Sequence, residues 1–191
     1  MTNSFTTRKS THNMSSDKET TILEATKEMV RQGGYHNFSF RNIATAVGIK
    51  SSSVHYHFAT KEDLGAAVAK FYTNNFMTGL GAVEGANSKC LISHYVKSFR
   101  QTLLDDKGLC LCGMLGAEIA ALPVQVKLQT QGFFNRNIQW LTSAYQVLGK
   151  GEESKFYAAQ TLSLLEGAMV LSNAMESIEI FDQATTNVII T

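Results

Sequence analysis

The 191-residue chain has little of what marks an exported, membrane-bound or catalytic protein. It holds one proline, Pro123, and three cysteines, an odd count that argues against a disulfide framework and for reduced thiols. No apolar run approaches the roughly 20 residues of a membrane span. The first residues also lack the apolar stretch of a secretory signal, so the chain reads as cytoplasmic, without membrane contact. A net charge of +1 gives no global attraction to nucleic acid. There is no phosphate loop, no His-Glu-x-x-His and no Gly-x-Ser-x-Gly elbow. The expectation is a protein that is not an enzyme and calls for no cofactor or metal; Cys90 and His94 share a helical face, but two ligands are not a metal site. Alternating apolar runs that would form a sheet are missing too.

What remains is helix. Hydrophobic residues make up 44% and charged residues 17%, the balance of a folded globular chain. Residues 1–16, rich in Ser, Thr and Asn, predict a flexible tail. From Asp17 onward Ile22, Ala25, Met29 and Val30 recur at helical spacing until Gly33 and Gly34 stop the pattern. Ser39 is placed to cap a short second helix with Ile43, Ala44 and Val47 on its apolar face and Gly48 at its end. Ser51–Ser53 offer caps for a third helix carrying Val54 to His57, and Thr60 with Asp63 has the form of a capping box opening a fourth. Further helices are expected near 88–105, 110–121, 123–149, 152–174 and 178–190. The fold class is all-α, with a helix-turn-helix unit over 17–64 and a second helical part over 65–191.

The third helix keeps one apolar residue, Val54, and leaves its other positions polar or aromatic. Such a helix is poor core material. It suits a DNA groove, because Ser, Tyr and His tips donate to phosphate oxygens and base edges. The same residues also suit caps and a solvated face, and composition alone does not separate the two.

In order and spacing, "GGYHNFSF", "RNIATAVGI", "VHYHF" and "TKEDL" resemble the TetR family of transcriptional regulators over residues 17–64. The helical pattern of 75–191 is similar to that family's ligand-binding and dimerisation part. The resemblance implies a homodimeric repressor that leaves a palindromic double-stranded DNA operator when a small-molecule effector binds its core. It further implies DNA contacts from Ser51, Ser52, Ser53, His55, Tyr56 and His57, a phosphate contact from Lys61, and flanking contacts from Arg41 and Lys50. The chain departs from the family at 55, where tyrosine is more frequent, and at 51–53, where lysine and glycine are common.

"GLCLCGMLGAE" at 108–118 is the second distinctive stretch. Cys110 and Cys112 point about 200° apart on a helix, which disfavours a disulfide between them. They are either small buried hydrophobes or a sensor for electrophiles or oxidants, which needs a depressed pKa and solvent access. Phe99, Cys110, Met114, Glu118, Phe133, Phe134, Trp140 and Tyr145 are the candidates for an effector pocket. The last two helices carry more apolar surface than an isolated pair would bury, and Phe156, Leu162, Leu165, Met169, Phe181 and Val188 are expected at a two-fold interface. A helical interaction protein that never touches DNA is the rival reading; it leaves the third helix without a role.

Overall fold

The computed structural model describes residues 8–85, 88–106 and 108–188, and every regular element among them is helical, in line with the expected class. Helix α1 (Arg8–Gly33) begins well before Asp17. The expected tail is therefore helical from Arg8, while its residues 1–7 lie outside the described residues. The reason is local: no glycine or proline interrupts 8–16, and an already nucleated helix adds residues easily.

Helices α2 (Phe40–Val47) and α3 (Ser51–His57) follow a single 3-10 turn at Tyr35–Asn37. Ser39 Oγ accepts from the Asn42 N–H at 3.2 Å and caps α2, and Gly48 ends it in the left-handed region. The residue that caps α3 is Lys50, with no side-chain hydrogen bond, so Ser51–Ser53 lie inside the first turn and are not its caps. Ile22, Val30, Phe38, Ile43, Val54, Leu64 and Val68 seal the inside of this small head. Helix α4 (Lys61–Leu80) opens with the expected capping box, Thr60 and Asp63 bonding reciprocally. At 20 residues it is roughly 30 Å long. It places Leu64 in the head and Leu80 in the second part, so the two units share this helix.

The second part contains α5 (Ser88–Asp106), α6 (Leu111–Ala117), α7 (Val124–Val147), α8 (Ser154–Ala174) and α9 (Ile178–Thr185), with Pro123 at the start of α7 as expected. Its centre is aromatic. Phe76 meets Tyr95 at 6.0 Å, Phe99 at 5.4 Å and Phe133 at 5.7 Å between ring centres, and Tyr95 stacks on Trp140 at 5.4 Å. Each such side chain, fully buried, contributes about 1.5–3 kcal/mol. Polar tips inside are matched: Tyr95 donates to Asn137 at 2.7 Å, and the Trp140 indole donates to the Gly81 carbonyl at 2.8 Å.

The expected interface residues need correction. Leu162, Leu165, Met169 and Phe181 are buried within the subunit and Val188 is partly covered, so these residues build the subunit's own core. The outward side of α8 carries Phe156, 59% exposed, Leu164, Leu171 and Met175, 65% exposed. Helix α8 is apolar on both faces, which is why its periodicity alone points either way. Among the described residues no helix is long and apolar enough to cross a membrane.

Candidate nucleic-acid interface and core polar cluster

Helix α3 touches the rest of the head through Val54, fully buried, and turns the opposite side outward. Tyr56 is 82% exposed, Ser52 and His55 are exposed, and Ser51, Ser53 and His57 are half-buried. Arg41 on α2 and Lys50 in the turn are exposed beside them. The rings are not loose. His55 packs edge-on against Phe40 at 4.5 Å, and Tyr56 against His57 at 5.3 Å. A rigid helix thus presents hydroxyl and imidazole groups to solvent, a donor and acceptor array of the size that enters a major groove. Lys61 is different: its ammonium lies over the Tyr35 ring at 4.8 Å and the Phe38 ring at 4.6 Å. Burial there lowers its pKa, against the opposing pull of Glu118.

Two side chains tie the head to the second part. Arg31, buried near the end of α1, donates to the carbonyls of Thr102 at 2.7 Å, Gly108 at 3.1 Å and Leu109 at 3.0 Å. Glu118, directly after α6, accepts from the Tyr35 N–H at 2.9 Å. Gly34 has φ +74°, and a Cβ there would collide with the Glu118 carboxylate, so glycine is required on both counts. Glu118, a candidate for the effector pocket, thus bonds the turn that precedes α2.

A cavity of about 440 Å³ lies between α1, α4 and α5, with Lys27, Arg31, Tyr72, Phe76, Gln101 and Thr102 among its walls. None of the eight residues expected to contact effector lines it. Phe99 and Phe133 are the next ring layer, in contact with Phe76. Trp140 is held by Gly81, Tyr145 shares a 2.7 Å hydrogen bond with Thr161, Phe134 packs over Gly116, and Met114 is half-buried on α6.

Cys110 belongs to a buried polar cluster that sequence reasoning did not assemble. Its sulfur accepts from the Gly113 N–H at 3.3 Å, and the Tyr72 hydroxyl and the Glu166 carboxylate of α8 lie beside it. Gly113 leaves the room, since a Cβ there would collide with Glu166 Oε2. Burial pushes Glu166 up to about 7, partly offset by the Cys110 hydrogen bond. Burial, then the nearby Glu166 carboxylate, also pushes both the Cys110 and Cys112 thiols up. A sensor thiol needs a low pKa and access to solvent; the folded subunit gives Cys110 and Cys112 neither. The signal for Glu166 was present in the sequence as a lone carboxylate in the apolar stretch Thr161–Leu171. Cys90 is exposed and His94 Nε2 lies 3.1 Å from the Gly79 carbonyl; no group of three metal-ligating side chains occurs among the described residues.

Known proteins bear on this arrangement. The sequence profile of the bacterial regulatory proteins of the tetR family matches residues 22–68. A TetR transcriptional regulator from Legionella pneumophila is 31% identical and superposes with a TM-score of 0.80 over 88% of this chain and 93% of that one. A TetR-family transcriptional regulator from Agrobacterium tumefaciens is 24% identical, with a TM-score of 0.85 over 92% of this chain and 97% of its own. No curated protein matches the chain.

Proposed function

The chain belongs to the TetR family of bacterial transcriptional regulators, and from that premise we propose that it is a repressor released from a near-palindromic operator by a small molecule bound in its second part. DNA-binding regulation follows from the family; release, operator symmetry and the contact residues are our reading. The observation that carries it is the outward face of α3, where Ser52, His55 and Tyr56 stand exposed on a helix anchored by Val54. Arg41 and Lys50 flank that face as phosphate contacts, and Ser51, Ser53 and His57 border it. Lys61 reaches a phosphate only by leaving the Tyr35 and Phe38 rings.

A homodimer supplies the second head. The outward stripe of α8, Phe156, Leu164, Leu171 and Met175, has Gly167 in its middle with open space above it, which permits close approach of a two-fold mate. Two heads then read half-sites roughly 34 Å apart, or a multiple of that. Effector entering between α1, α4 and α5 moves the head through the Arg31 and Glu118 contacts.

The test is titration of labelled DNA from the chain's own upstream region at two salt concentrations. One site bound in preference to random duplex, with log affinity falling linearly in log salt, is the expected result. Equal binding to random duplex, or none, would overturn the reading in favour of a helical interaction protein.

A further inference from the structure

Glu166 is a carboxylate without a counter-charge. Its stem is partly accessible, but Oε1 is out of solvent and has no hydrogen-bond partner among the described residues. The groups that face it are neutral or acidic on every side: Tyr72 from α4, Tyr95 from α5, Cys110 and Cys112 from α6. On the other helices packed against α8, Tyr145 of α7 is engaged with Thr161 and Asp182 of α9 with Arg100. No lysine or arginine acts on Glu166 among the described residues. A buried carboxylate left so is unfavourable unless it takes up a proton or something supplies a donor and a positive charge.

The surroundings indicate what that something is. Tyr72 and Phe76 form one wall of the 440 Å³ cavity, and the Tyr72 hydroxyl lies beside Cys110 and Glu166. Tyr72 thus belongs both to the cavity wall and to the surroundings of Glu166. The cations at the cavity's far side are already engaged, Lys27 with Glu24 at 2.5 Å and Glu28 at 3.1 Å, and Arg31 with its three carbonyls. An anionic ligand would thus meet no free cation and would approach a second carboxylate. A cation meets aromatic faces, which attract it, and then the acceptor it lacks.

We propose that Glu166 is the anchor of an effector site for an amine: a protonated primary ammonium carried on a small apolar body, bonded to Oε1 after Tyr72 moves aside. The proposal rests on the effector-released repressor reading and specifies its ligand chemistry. An alkylammonium, like the lysine side chain, stays charged to about pH 10. Glu166 ionises near 7, so the charged pair is complete above that pH and lost below it.

The experiment is calorimetric titration of the full chain with benzylamine, cyclohexylmethylamine and butylamine, beside benzyl alcohol and phenylacetate, with a parallel anisotropy titration of operator DNA. At least one amine is expected to bind about tenfold or more tighter than the alcohol, and about tenfold tighter at pH 8 than at pH 6. Glu166→Gln is expected to abolish that preference while folding at least as well at pH 8, since it removes a buried charge. Absence of amine binding, binding of alcohol or phenylacetate as tight as that of the amines, or a preference retained in E166Q would each overturn the proposal. DNA binding measured without any amine reports separately on the repressor reading, so either can fail alone.

Discussion

The head and the second part treat polar side chains in opposite ways. On α3 they stand outside, with Val54 as the one residue that must be buried. In the second part Tyr95 is bonded to Asn137 inside the core, and Cys110, Tyr72 and Glu166 cluster together, leaving one carboxylate oxygen without a partner among the described residues. An exposed polar group is weakly coupled to stability and available to a partner. A buried one is coupled to everything packed on it. The two regions should therefore respond to substitution in different observables.

The largest effect is expected in the aromatic centre. Phe133→Ala removes a fully buried ring and should lower unfolding free energy by about 3–5 kcal/mol in urea, while the remaining folded fraction at low temperature binds operator normally. A loss of operator affinity larger than the unfolded fraction accounts for would erase the distinction. Next comes pH. Because the folded-state pKa of Glu166, about 7, lies above the 4.5 of an unperturbed glutamate, the native state holds the proton more tightly. Stability is then fully present below about 4.5, falls as pH rises, and levels above about 7, a change on the order of 3 kcal/mol. Denaturation midpoints from pH 4 to 8 should show this fall in the wild type and not in Glu166→Gln; identical profiles would place the titration elsewhere.

In the head the readout is reversed. Tyr56→Ala should weaken operator binding by about 1–3 kcal/mol with an unchanged melting temperature, because the ring is exposed and supports no core. A shifted melting temperature with intact binding would move Tyr56 from groove contact to scaffold. The smallest change expected is Glu118→Gln, under about 1 kcal/mol in stability, since the amide oxygen still accepts from the Tyr35 N–H. Amide exchange at Tyr35 should speed up slightly, and faster exchange throughout α1 instead would mean that Glu118 holds more than this turn.

This contrast also explains what could be read in the sequence. The boundaries of α2, α4 and α7 were legible because their signals are local: Ser39, Gly48, Thr60 with Asp63, and Pro123 each act within a turn of their own position. The outward face of α3 was legible because it needs no partner within the chain. The Glu166 cluster was not, since it depends on α4, α5, α6 and α8 converging, and no residue spacing encodes that. On α8 the expected interface mixed outward Phe156 with inward Leu162, Leu165 and Met169 for a related reason: with apolar residues on both faces, its inward face is chosen by α7 and α9. Arg31 carried no signal in one-dimensional form and Glu118 stood out only as a candidate for the effector pocket, yet each bonds a segment more than 70 positions away.

Arg31 carries a mechanical consequence. Its planar guanidinium, pinned to three carbonyls, holds the end of the first helix at one point of the second part. The base of the first helix then behaves as a pivot, and a small tilt at that fulcrum is magnified by the distance out to Tyr56. On the proposed effector release, operator grip would then be lost by tilting, without unfolding a single turn.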